Sequence, residues 1–249
     1  MADQVAQAQV AEAFDPSGLA VIIMNYRRPQ NIGKICRTVA AALPEAIVFL
    51  LDQADDDSCT VRHMLPPGVW YRRATNAGCI ARLRIAAALP FQRYLAVDDD
   101  LFLTQTQLRQ LATRQQFAPD RVHGIWGQKV MVDGKRLRVH NSINKQDAEV
   151  SILNQAYAFS RTQAADALEL IEATAFDAEE IKLCDDILLS SAGKRAPVCH
   201  DLGSLAVCQT SNEAGVALGT ERRFHETRAR LMVSLLKRGK LHSFPSDGG

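Results

Sequence analysis

Continuous apolar runs alternate along this chain with segments in which apolar residues return every three to four positions. Residues 19–24 are unbroken apolar sequence, which predicts a strand covered on both faces. Pro29 suits the first turn of a helix. Behind it Ile32, Ile35, Cys36, Val39, Ala40 and Leu43 recur at helical spacing. A second apolar run, 46–51, ends in Asp52, and 69–72 predicts a short third strand. Residues 78–89 read as a helix and 94–97 as a strand that runs straight into Asp98-Asp99-Asp100. This order of elements predicts the beginning of a doubly wound α/β sheet. Such sheets bind ligands in the crevice outside the carboxyl ends of their strands.

The second half has a different rhythm. A helix is expected at 105–117, then strands at 122–132 and 136–139 joined by the hairpin signal Asp133-Gly134-Lys135. Another strand is expected over 150–159, helices over 161–174 and 178–192, a short strand at 197–200, a loop over 203–220 and a helix over 221–238. Residues 1–18 read as a frayed leader and 241–249 as a flexible tail. Between them lies one domain, with a nucleotide-binding half at 19–104 and an acceptor and catalytic half at 105–240.

Composition narrows the class. The 249 residues are 47% hydrophobic and 23% charged, as in an ordinary globular domain. The net charge of +1 favours neither nucleic acid nor an anionic membrane, so no nucleic-acid partner is expected. The six cysteines (36, 59, 79, 184, 199 and 208) include no C-x-x-C pair and are read as reduced. There is no secretory signal pattern at the start and no 18-residue apolar stretch, so the expected compartment is the cytoplasm.

Asp98-Asp99-Asp100 is the sharpest chemical signal. Three adjacent carboxylates repel one another unless a cation or hydrogen-bond donors compensate. Strand alternation would send Asp98 and Asp100 to one side and Asp99 to the other. A pair of carboxylates at a crevice suits a hard divalent cation whose remaining oxygens come from water and a diphosphate. The alternative is a solvated acidic turn, which is how Asp55-Asp56-Asp57 reads in its loop of Gln53, Ala54 and Ser58.

Four further segments border the crevice. Asn76-Ala77-Gly78 leads into a helix whose N-terminal N–H groups could meet an anion, with Arg82 one turn in as a charged fork or a surface residue. Asn25-Tyr26-Arg27-Arg28 closes strand one, and one of Arg27 and Arg28 is expected to reach a base or phosphate. Cys184-Asp185-Asp186 lies in a helical pattern with Ile181, Ile187 and Leu188, where the aspartates either face water or are held against a developing cation. The last helix carries Arg222, Arg223, His225, Arg228, Arg230, Lys237, Arg238 and Lys240. It could touch membrane lipid or be a solvated face, and His225 is a candidate extra metal ligand.

In this order these pieces resemble the exostosin-like glycosyltransferases, a retaining family of the GT-A fold. The resemblance runs over most of 19–240. It rests on Val21-Ile22-Ile23-Met24-Asn25-Tyr26-Arg27-Arg28, Thr75-Asn76-Ala77-Gly78 with Ala81-Arg82-Leu83-Arg84, Tyr94-Leu95-Ala96-Val97 with the triple aspartate, Cys184-Asp185-Asp186-Ile187 and Phe224-His225-Glu226-Thr227-Arg228. Leu183 stands where the family carries a polar residue. The resemblance implies a Rossmann-like mixed sheet flanked by helices. It implies transfer of an N-acetylhexosamine from a UDP-sugar to a glycan or other hydroxyl acceptor, with Mn²⁺ or Mg²⁺ and retention. Its pattern gives the metal to Asp100 and places Asp186 by the anomeric carbon. The reading of the residues themselves adds Asp98 and His225 to the metal, Asn25, Arg27, Arg28, Asn76, Arg82, Asp98 and Asp99 to the nucleotide-sugar, and Asp185 to catalysis. Asn76, Gly78, Ala81 and Arg82 are equally compatible with the inverting family 2, in which Asp186 would be a general base. A nucleotidyltransferase lacks support, because strand one is not followed by a glycine-rich phosphate cradle. A nucleotide-sugar-binding module without turnover is the reading outside enzymes.

Overall fold

The computed structural model describes residues 18–54, 61–74, 77–133, 136–174, 176–214 and 216–245. The expected leader at 1–17, Asn76, Cys59 and the aspartates at 55–57 lie outside these residues, as does the 134–135 turn.

The first half runs β1 (Leu19–Asn25), α1 (Pro29–Ala42), β2 (Ile47–Asp52), β3 (Val69–Arg73), α2 (Ala81–Ala88), β4 (Arg93–Val97), β5 (Leu101–Phe102) and α3 (Gln105–Phe117). The second half adds β6 (His123–Gly124), β7 (Gly127–Asp133), β8 (Arg136–Ile143), β9 (Ala148–Glu149), β10 (Ile152–Leu153) and β11 (Ala156–Ser160). It continues through α4 (Arg161–Glu172), α5 (Ala178–Ile181), α6 (Asp185–Ala192), β12 (Val198–Cys199), β13 (Ala206–Val207), α7 (Arg222–Lys237) and β14 (Phe244–Pro245). The main sheet has the order β3-β2-β1-β4-β11-β6-β12-β9. Strands β1 to β4 are mutually parallel, and β11 enters antiparallel beside β4. A smaller sheet holds β10, β7, β14 and β8.

Alternation along β1 divides the core in two. Leu19, Val21 and Ile23 join Ile32, Ile35, Val39, Leu108 and Leu111 under α1 and α3. Ala20, Ile22 and Met24 face the other way, toward Leu83, Ala164, Ala167, Ile187 and Leu188 under α2, α4 and α6. Each large aliphatic side chain buried this way contributes about 1.5–3 kcal/mol. Covered on both faces, β1 has no polar side, and that is why it reads as a continuous apolar run. Reciprocal capping boxes start α3 (Thr104 with Gln107) and α4 (Ser160 with Gln163).

Five expectations about the elements are corrected. The strand over 122–132 is two, β6 in the main sheet and β7 in the smaller one. The single strand over 150–159 is two: β10 pairs with β7 and β11 with β4 and β6, with Asn154 and Gln155 at the break. The 178–192 helix is also two, interrupted at 182–184, so Cys184-Asp185-Asp186 opens α6 instead of lying inside a helix. The tail is not free from 241, since Leu241 is buried in the core and Phe244 pairs with Met131. Gly18 belongs to the fold as well, its carbonyl accepting from the N–H groups of Gln92 and Arg93.

Cys36, Cys79, Cys184, Cys199 and Cys208 are free thiols. Burial pushes the thiols of Cys36, Cys184 and Cys199 up to about 12, which keeps them inert while the fold holds. Unfolding the protein without reductant is expected to expose six titratable thiols, and fewer than six would reveal a disulfide. No helix among the described residues is long and apolar enough to cross a membrane.

Candidate active site

The carboxyl ends of β1 and β4 open into a cavity of about 690 Å³ closed on the other side by α6 and α7. All three aspartates of the 98–100 run line it, together with Asp185 and Asp186. Strand β4 ends at Val97 and the chain turns at 99–100, so alternation does not carry through the triplet. Each aspartate consequently has its own surroundings.

Asp99 points back toward β1. Its Oδ2 accepts from the backbone N–H of Tyr26 (2.9 Å) and Arg27 (3.3 Å), and its Oδ1 from Arg28 Nη1 (2.9 Å). Arg28 also donates to the Thr210 hydroxyl and carbonyl (3.1 and 3.0 Å). Both side chains are therefore fastened within the cavity wall, where they hold the loop after β1. Both arginines expected at this rim line the cavity, and Arg27 is the exposed one, its guanidinium over the Tyr26 ring. Asn25, expected to bind the nucleotide-sugar, is fully buried and not among the residues lining the cavity, and its Nδ2 donates to Asp52 Oδ1 at 2.7 Å.

Arg82 lines the cavity as well, from a buried position. It is 2% exposed and bridges the two acidic motifs, with Nη2 2.7 Å from Asp98 Oδ1 and Nε 3.0 Å from Asp185 Oδ2. Burial works against its charge, and Asp185 and Asp98 overcome this to hold its pKa well above the ordinary value. Burial raises the carboxyls of Asp98 and Asp185 even with Arg82 beside them. Its Nη1 is buried without a hydrogen-bond partner. At the start of α2 four N–H groups are already engaged, while Asn76 of the expected anion site lies outside the described residues. The N–H groups of Ile80, Ala81, Arg82 and Leu83 all donate to protein carbonyls, Ile80 to Lys182 at 3.0 Å. That close approach requires Gly78, which has φ +69° and whose Cβ, if present, would lie 2.6 Å from the Lys182 carbonyl oxygen.

Asp185 and Asp186 occupy the first turn of α6, where the helix dipole favours negative charge. Neither is a solvated surface group. Asp185 accepts from the Tyr157 hydroxyl at 2.5 Å. Asp186 is held bidentately by Arg228 of α7, Nη1 to Oδ1 at 2.7 Å and Nη2 to Oδ2 at 2.8 Å. The sequence did not pair Tyr157 with Asp185, nor Arg228, noted there only within the basic last helix and the 224–228 segment, with Asp186; the partners stand 28 and 42 residues apart. The rest of α7's basic residues are partly engaged too, with Arg222 and Arg230 paired to Glu226 and Glu180 at 2.6 Å.

Asp100 has its Oδ1 buried without a hydrogen-bond partner, and Arg28 Nη2 stays 3.8 Å from its Oδ2. Burial raises its carboxyl above the usual range, Arg28 opposes this and Asp99 adds to it. His225 lines the same cavity, but its Nε2 donates to the Gly219 carbonyl at 2.7 Å. Among the described residues no three His, Cys, Asp or Glu side chains converge as a ready-made metal cage. His225 is thus committed to a carbonyl, while Asp98, paired with Arg82, and Asp100, with an unpartnered Oδ1, line the same cavity. Two carboxylates so placed fit a cation that takes its other oxygens from a diphosphate and water.

No protein-family model matches the sequence, and neither does any curated protein sequence. Solved structures do. S. aureus TarS is similar to this chain with a TM-score of 0.56 at 16% identity, over 88% of this chain and 39% of TarS. TarS 1–349 gives 0.55 at 17% identity over 88% and 65%, and TarS 1–349 in complex with UDP-GlcNAc gives 0.57 at 16% over 88% and 66%. The chain spans less than two thirds of each of these proteins. At such identity the likeness is one of fold, a mixed sheet flanked by helices.

Proposed function

We propose that this protein transfers a sugar, an N-acetylhexosamine, from a UDP donor to a hydroxyl acceptor on a glycan or glycoconjugate, with a divalent cation and with retention at the anomeric carbon. One observation carries the reading. Two acidic motifs about 85 residues apart converge on a single cavity at the carboxyl ends of the strands, joined by the buried guanidinium of Arg82. The UDP-GlcNAc held by TarS 1–349 on the same fold adds support for a UDP-sugar.

Asp98 and Asp100 would hold Mn²⁺ or Mg²⁺, which when bound neutralises charge on the diphosphate. The chain's own groups do the rest. Arg27, at the rim, is placed to meet the base or a phosphate, and the unpartnered Nη1 of Arg82 is left to meet the donor. Tyr157 and Arg82 fix Asp185, and Arg228 fixes the plane of Asp186. Loop residues 216–219 and Phe224 form the cover that limits water. The acceptor oxygen bonds to the anomeric carbon on the face the diphosphate leaves, and the proton passes to the released phosphate. The charge of Asp186 lies against the oxocarbenium-like state.

Replacing Asp100 with alanine tests the cation assignment. The change removes a buried carboxylate oxygen that has no partner, so stability of the free protein is expected to hold or rise. Calorimetric titration of UDP should lose its dependence on Mn²⁺. Unchanged Mn²⁺ dependence in the variant contradicts the assignment.

A further inference from the structure

Asn154 and Gln155 interrupt a segment that would otherwise continue as one strand. Gln155 adopts φ +64°, a left-handed conformation that side-chain-bearing residues adopt only at a cost. The break is held on both sides: Asn154 N–H donates to the Trp126 carbonyl and Asp98 N–H to the Gln155 carbonyl, at 2.8 and 2.9 Å. The second bond fixes these residues beside the acidic run. Both line the cavity, and the side-chain oxygens Asn154 Oδ1 and Gln155 Oε1 are each buried without a hydrogen-bond partner. Buried amide oxygens are normally satisfied. Two neighbouring exceptions, on a strained turn in a cavity wall, are a place for a donor that arrives with the ligand.

We propose that Asn154 and Gln155 recognise the sugar half of the nucleotide-sugar by accepting hydrogen bonds from its hydroxyl or acetamido N–H groups. A diphosphate has no proton to offer these oxygens, whereas a sugar carries several; the uracil N–H and ribose hydroxyls of UDP are the other donors, and comparison with bare UDP separates them. The place also fits, because the Asp98 N–H bond to the Gln155 carbonyl sets the pair beside the aspartates proposed to hold the diphosphate. This inference rests on the proposed donor, and it adds the residues that tell the sugar from bare UDP. A site built around such acceptors discriminates against a ligand that lacks the matching donors, because its own buried oxygens then stay unsatisfied.

The test compares UDP, UDP-GlcNAc and UDP-glucose by competitive titration with Mn²⁺ in wild type, Asn154→Ala and Gln155→Gly. Glycine accepts the φ of residue 155, so the backbone turn is kept. Each variant is expected to weaken a UDP-sugar relative to UDP by roughly fivefold to tenfold, the worth of a neutral hydrogen bond. UDP affinity should stay as in wild type, which also reports an intact fold. If UDP binds all three proteins and the UDP-sugar to UDP ratios do not move, the inference fails while the proposed function stands. Loss of UDP and UDP-sugar affinity in equal proportion also overturns it, because the pair then only shapes the wall. No UDP binding by wild type overturns both readings.

Discussion

Arg82→Met is expected to lower the free energy of unfolding by about 3–5 kcal/mol, the range for removing one partner of a buried ionic network. The guanidinium is 2% exposed and is the cation between Asp98 and Asp185. Methionine fills the volume but leaves two inward carboxylates without it, and burial already raises both of their pKa values with arginine present. The penalty belongs to the abandoned carboxylates and not to lost packing. The double variant Arg82→Met with Asp185→Asn should therefore recover part of the loss, a coupling that separate packing effects do not produce. Urea denaturation followed by far-UV circular dichroism measures both. A single-variant loss below about 1 kcal/mol would show that water enters and solvates the network freely.

Asp186→Asn is expected to slow turnover by about 10²–10³, equivalent to roughly 3–4 kcal/mol of electrostatic stabilisation. The side chain keeps its shape but loses the charge that the proposed mechanism sets against the anomeric carbon. UDP-sugar affinity should change little, because the interaction is made in the transition state. Arg228 loses its counter-charge as well, so the stability of the variant must be measured alongside and the comparison made well below its melting temperature. The configuration of the first-formed glycoside, read by NMR, separates two mechanisms. A retaining enzyme gives the donor's own configuration. A β-linked product from an α-linked donor would make Asp186 a general base, a role for which the bidentate pair with Arg228 would first have to open. Full activity would leave Asp186 as half of a structural ion pair.

The sequence exposed what burial imposes on every residue of a segment and hid what depends on one distant partner. β1 was legible because both of its faces are covered, so no polar position breaks the run. Asp98-Asp99-Asp100 stood out because three charges directly after such a strand have few bland explanations. The individual roles within the triplet were not legible, since the turn at 99–100 cancels the alternation that assigns faces. Asn25 and Arg28 both stand at the strand's end, but distant carboxylates set them apart: Asp52 holds Asn25 behind the wall, whereas Arg28 lines the cavity while bonded to Asp99. The split at Asn154 and Gln155 was hidden because 150–159 is apolar enough for a single strand, and the register of two different sheets decides where it breaks. Arg228 and Asp186 are 42 residues apart, and nothing local in either segment announces the pair.

UDP release from UDP-sugars, followed with Mn²⁺ and again with a chelator in excess, tests the central claim most directly. The account predicts release from at least one UDP-N-acetylhexosamine with the cation, accelerated by a hydroxyl acceptor and abolished by the chelator. Release at the same rate in the chelator, or none from any UDP-sugar at saturating Mn²⁺ with the folded protein, would contradict it.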